Sequence, residues 1–168
     1  MVRELAASLL WLWAAGCSLI LDFSDNAIPK DAAPDAPYTQ AECDYKEPND
    51  TLATAASITP ADTGPAAICA RNPEDRDFYK FTVPAGTTRV ELRVSMTYRP
   101  SGDLDVRLYD ANGALLAQSN NFSNDEIIVC PAPSPACPSL PPGDYVFEVF
   151  PGIPGAVNDY IFALTLTP

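Results

Sequence analysis

The sequence predicts an all-β protein, an antiparallel sandwich of about eight strands, on three observations. Short aromatic or β-branched runs recur from residue 66 onward, with apolar residues at every second position in the clearest of them. Turn signals rich in Gly and Pro separate these runs. No segment sustains a helical apolar stripe over about ten residues.

In chain order the candidate strands are "AAICA" (66–70), "DFYKFTV" (77–83), "TTRVELRVSM" (87–96), "DLDVRLYD" (103–110), "ALLAQS" (114–119), "DEIIVC" (125–130), "GDYVFEVF" (143–150) and "DYIFALTLT" (159–167). Val90, Leu92, Val94 and Met96 face one way and Arg89, Glu91, Arg93 and Ser95 the other. Leu104, Val106 and Leu108 repeat the pattern, as do Tyr145, Phe147 and Val149. Such alternation implies one buried and one solvated face per sheet. Pro84-Ala-Gly, Pro100-Ser-Gly, Asn112-Gly113, Pro142-Gly143 and Pro151-Gly152 mark the turns.

The chain has 168 residues, room for one domain and extras. Residues 1–16 read as an export signal: Arg3, then an apolar run from Leu5 to Ala15, too short for a bilayer core that needs about 20 residues. "AAGC" resembles the lipobox of bacterial lipoproteins, which implies cleavage after Gly16 and lipid on Cys17. Ala14 departs from the Leu usual there, and cleavage by an ordinary signal peptidase, leaving Cys17 free, is the alternative. Residues 17–40, mixing Pro, Ala and Asp, read as the lipidated cysteine and a tether spanning roughly 25–30 Å. Residues 41–168 are the expected domain. The expected location is the cell envelope, lipid-anchored, at the outer membrane by resemblance to enterobacterial lipoproteins, with membrane contact through the lipid alone.

Four further cysteines in an exported domain imply two disulfides, with three possible pairings. The Pro-rich loop "CPAPSPAC" favours Cys130–Cys137, leaving Cys43–Cys69. A structural zinc site has the wrong spacing, with no His and no C-x-x-C. Net charge is −12 with ten basic residues, which argues against nucleic acid as a partner. With no His, Ser-His-Asp and Cys-His catalysis are excluded, and nothing singles out a carboxylate pair for glycoside hydrolysis. The chain reads as no enzyme.

"EPNDT" (47–51), "DRDFYKFTV" (75–83), "DLDVRLYDANG" (103–113), Ser119 ahead of "DEII" (125–128), "PGDYVFEV" (142–149) and "DYIFALTL" (159–166) occur in that order. Together they resemble the bacterial pre-peptidase C-terminal domain, a relative of the collagen-binding domains of clostridial collagenases, over roughly residues 43–168. The resemblance implies a jelly-roll type of sandwich, a non-catalytic role beside secreted proteases, and in some relatives a calcium ion. Carried over by position, the calcium ligands are Glu47, Asn49, Asp50, Asp75 and Asp77. Calcium takes six to eight oxygens of these types. Tyr45 stands where strong calcium binders carry another acid. The alternative is a plain turn, in which Asn and Asp bond their own backbone.

Asp103-x-Asp105 sits on an alternating strand and reads as a solvated face. Arg89, Arg93, Arg107 and Tyr109 form a possible outward recognition surface, or else pair across strands with Glu91 and Asp105. The function expected is a lipid-anchored, exported binding or adhesion module for a protein or polysaccharide ligand, with calcium as the candidate stabilising ion. The alternative is an accessory envelope protein that docks a secreted protease or another protein.

Overall fold

The two-residue apolar period is realised as two facing sheets in the computed structural model of the chain, which describes residues 40–43, 45–71, 73–96, 102–134 and 136–168. All of these residues belong to the one compact unit Asp35–Pro168. The expected signal segment, the tether to residue 39 and Cys17 lie outside the described residues.

The strands are β1 (Ala56–Ser57), β2 (Ala66–Ile68), β3 (Asp77–Val83), β4 (Arg89–Met96), β5 (Leu104–Asp110), β6 (Leu115–Ser119), β7 (Asp125–Cys130), β8 (Ala132–Pro133), β9 (Ala136–Cys137), β10 (Gly143–Pro151) and β11 (Asn158–Thr167). One sheet has the order β1-β3-β10-β5-β6, the other β2-β11-β4-β7, and β8-β9 form a small ribbon. Pairing is antiparallel except where β1 runs parallel to β3. All eight expected strands are present, with ends shifted by a residue or two. The additions, β1, β8 and β9, are two-residue pieces too short to leave a period in the sequence.

The core lies between the sheets. Tyr79 and Phe81 of β3 and Tyr145, Phe147 and Val149 of β10 meet Val90, Leu92 and Val94 of β4 and Tyr160, Phe162 and Leu164 of β11. At its centre Tyr79, Phe147 and Phe162 stack with centroids 4.8–5.7 Å apart, within the range where aromatic pairs attract beyond their buried area. Burying each such ring fully is worth ~1.5–3 kcal/mol.

Both disulfides form as the spacing suggested, Cys43–Cys69 and Cys130–Cys137. The second closes the β8–β9 loop off the end of β7. The first ties the helical turn Gln40–Cys43 to the end of β2. Chain entropy alone makes these loop closures worth about 2.5 kcal/mol for the short loop and 3.6 kcal/mol for the long one.

Two expectations about surfaces change. Arg89 and Arg93 lie on β4, Arg107 and Tyr109 on β5, and these strands belong to different sheets, so the four do not form one recognition stripe. Arg89 pairs with Glu91 along its own strand (2.7 Å) and Arg93 with Asp125 (3.4 Å). Arg107 and Tyr109 instead serve Glu148, which is buried on the side of β10 facing away from the core. Its carboxylate accepts from Tyr109 Oη (2.6 Å) and Arg76 (2.6 Å), with Arg107 at 3.6 Å. The guanidinium groups of Arg107 and Arg76 also lie 4.0 and 5.6 Å from the Phe150 ring centroid. A buried carboxylate needs such partners, so this face carries a packed polar layer in place of open solvent. Asp105 is likewise buried, 8% exposed, where a solvated position was expected. The Pro151-Gly152 turn folds against it: a Cβ on Gly152 would sit 3.1 Å from Asp105 Oδ1.

Candidate metal centre

Glu47, Asp75 and Asp77 each direct a carboxylate oxygen into one spot, with these atoms all within 4.8 Å of one another. They come from two chain segments. Glu47 lies in the loop after the helical turn, where the Glu47–Pro48 peptide is cis and Lys46 has a positive φ of 58°. Asp75 and Asp77 enter and begin β3. Phe78 N donates to Asn49 O (2.9 Å), so the loop is docked on the first residues of β3. The Cys43–Cys69 disulfide closes the same junction just upstream of both segments.

Asn49 is fully buried between the acids. Its backbone N–H donates to Glu47 Oε2 (2.7 Å). Its side-chain nitrogen donates to Asp77 Oδ1 (3.1 Å) and Glu47 Oε2 (2.8 Å).

Asp75 is 1% exposed; its Oδ2 accepts from Cys69 N (2.6 Å). Its Oδ1 is buried with no hydrogen-bond partner, and Arg71 Nη1 lies 3.5 Å away as an ion-pair contact only. Burial raises the Asp75 carboxyl to about 6, against the pull of the Cys69 N–H and Arg71. Asp77 is 3% exposed and is pushed up to about 8, by burial first and by the charges of Asp75 and Glu47 after that. Tyr160 Oη donates to Asp77 Oδ2, and Tyr160 Oη lies 2.8 Å from Tyr79 Oη. The floor of the cluster is thus the polar end of the aromatic core.

Of the five ligands expected, Glu47, Asp75 and Asp77 converge and Asn49 bridges two of them. Asp50 is exposed at the rim, where its charge acts on Arg71 and its carboxyl helps raise that of Asp75. Tyr45 packs its ring toward Phe162 (6.3 Å between centroids). Arg71 and Tyr160 were missed. Tyr160 reads as one more core aromatic by its alternation, and an isolated Arg after "ICA" carries no pattern. The donor set is three carboxylates of hard oxygen type, two of them nearly inaccessible. It fits calcium, with water or backbone carbonyls completing the shell, and lacks the nitrogen or sulfur that zinc prefers. Holding the ion would neutralise charge that burial otherwise disfavours and would join the 45–50 loop to β3.

The pKa of Asp77 sets a pH dependence. Its folded value, about 8, exceeds the ordinary unfolded value near 3.9. The native state therefore keeps a proton that the unfolded chain has shed, and stability falls as pH rises from about 4 to about 8. Melting in the presence of a chelator across that range will show the decline, and Asp77→Asn will remove much of the slope. A melting temperature that climbs over the range, or an unchanged slope in Asp77→Asn, contradicts the assignment.

Residues 75–151, from Asp75 to the end of β10, match the family model of the bacterial pre-peptidase C-terminal domain. Pyrolysin of Pyrococcus furiosus is 30% identical over 87 residues, a stretch that spans 51% of this chain and 6% of pyrolysin. Among solved structures, the pre-peptidase C-terminal domain of collagenase from Bacillus anthracis is similar with a TM-score of 0.51 at 14% identity, covering 65% of this chain and 92% of that domain. At that identity the likeness is one of fold. The sandwich that presents the acid cluster is thus similar to a bacterial pre-peptidase C-terminal domain, in fold and, over residues 75–151, in sequence.

Proposed function

We propose that this chain is an exported, non-catalytic binding or adhesion module, anchored by lipid on Cys17, whose N-terminal loop is fastened to the sandwich by calcium. The observation that carries the calcium reading is the convergence of the Glu47, Asp75 and Asp77 carboxylates, with a buried Asp75 oxygen that has no hydrogen-bond partner. Two disulfides fit an extracellular compartment. The family is that of accessory domains, and the chain has no histidine for the commonest nucleophile and metal hydrolase sites. The ligand would be a protein or a polysaccharide. A second reading, docking to a secreted protease, is favoured by the likeness to a collagenase's domain. Capture of a protease from the secreted fraction would support docking, and retention on collagen or polysaccharide beads would support adhesion.

Extracellular calcium modules bind with dissociation constants of ~10⁻⁴–10⁻³ M. At a hundredfold excess, linkage adds ~2.7 kcal/mol, roughly 5–10 °C in melting temperature for a domain of this size. Asp77→Ala is expected to abolish the gain and Asp103→Ala to leave it intact. A wild-type melting temperature equal in calcium and in chelator reduces the loop to a turn. For the anchor, Cys17→Ala is expected to shift the exported protein from the detergent to the aqueous phase on Triton X-114 partitioning. Wild-type protein found wholly in the aqueous phase removes the lipid from the account.

A further inference from the structure

The acid cluster already has a cation of its own in Arg71. The Arg71 Nη1 atom pairs with Glu47 Oε1 and lies 3.5 Å from Asp75 Oδ1, while Nη2 donates to the carbonyl of Cys43. Both carboxylates belong to the trio that would ligate a divalent ion. A guanidinium and a calcium ion on the same two carboxylates compete, because two cations crowded into one small site repel.

The accessibilities of the partners decide which of them can move. The Asp75 side chain is 0% exposed and that of Glu47 14%, whereas that of Arg71 is 32% exposed. The guanidinium therefore reaches the acids from the solvent side and can withdraw without opening the core. Beside it is an open cleft of about 410 Å³, lined among others by Arg71, Glu74, Asp75 and Gly155. A displaced Arg71 has room there, and the Glu74 carboxylate on the cleft wall offers it a second anionic partner.

We propose that Arg71 is a tethered counter-cation that holds the cluster together without metal and is displaced into the cleft when calcium binds, so that this residue sets the affinity of the site. The proposal rests on the calcium reading above. It makes Arg71 an affinity-determining residue with two opposed effects. Without metal it shields two of the three crowded carboxylates, and with metal present it competes for them.

Calcium chloride titration by isothermal calorimetry on the full chain tests this, comparing wild type with Arg71→Ala, Arg71→Gln and Arg71→Lys. Arg71→Ala and Arg71→Gln are expected to bind calcium about tenfold more tightly, yet to melt at a lower temperature in chelator. Arg71→Lys keeps the charge and should stay near wild type in affinity. Should Arg71→Ala fail to fold, the wild type supplies an independent measurement: modification of Arg71 by phenylglyoxal, followed by mass spectrometry, should accelerate when calcium is added. Neutral variants that bind calcium with wild-type or weaker affinity, or Arg71 modification that slows with calcium, overturn the counter-cation while leaving the calcium site standing. If neither wild type nor any variant binds calcium, both readings fall together.

Discussion

The constraint on which the rest of this structure depends is the burial of the Asp77 carboxyl at the point where the aromatic core meets the surface. Asp77 is the first residue of β3, and by strand parity it points inward with Tyr79, Phe81 and Val83. An inward carboxylate on a core strand is costly unless it is protonated, hydrogen-bonded or bound to a cation. The chain uses Tyr160 Oη for the hydrogen bond and, through it, Tyr79. These two tyrosines come from opposite sheets, so the polar end of the core also locks one sheet to the other. Placing Asp75 and Glu47 beside Asp77 worsens the electrostatics and raises Asp77 further. A protein gains little stability by crowding three acids, which is why the cluster reads as a ligand set.

The acids have two compensations of different strength. Arg71 supplies a single positive charge from a partly exposed side chain, and such pairs contribute little in water. Hydrogen bonds from Cys69 N and Asn49 satisfy some of the oxygens but leave Asp75 Oδ1 without one. A divalent ion would meet all of them at once and draw the 45–50 loop onto β3. In that state the Cys43–Cys69 disulfide and the ion would brace the same junction from two sides, one covalently and one reversibly.

Much of the fold could be read from the sequence because each long strand buries one face. Val90, Leu92, Val94 and Met96 announce β4 by period alone, and β11 does the same through Tyr160, Phe162 and Leu164. The Cys130–Cys137 link was legible because its loop is short, and Cys43–Cys69 followed from it. What the period could not reveal was the outer layer. Glu148 and Phe150 alternate as a solvated face should, yet Arg76, Arg107 and Tyr109 cover them, and that depends on which strands become neighbours. For the same reason Arg89 and Arg93 were grouped with Arg107 and Tyr109, although sheet order places them apart. Within the candidate site, the converging acids were legible through the resemblance of "EPND" and "DRD" to a family. Arg71 and Tyr160 were not, since their roles exist only once residues 47, 71, 77 and 160 are brought together.

The central claim is that a cation at Glu47, Asp75 and Asp77 fastens the N-terminal loop to β3. Native-state hydrogen exchange with and without millimolar calcium tests it most directly, because the amides of Asn49 and Cys69 donate to Glu47 and Asp75 themselves. The account predicts that exchange slows selectively at residues 45–50 and 69–78 on adding calcium, while amides between β4 and β7 keep their rates. Exchange at Asn49 and Cys69 that is indifferent to calcium, in protein whose β4–β7 amides are fully protected, would contradict it.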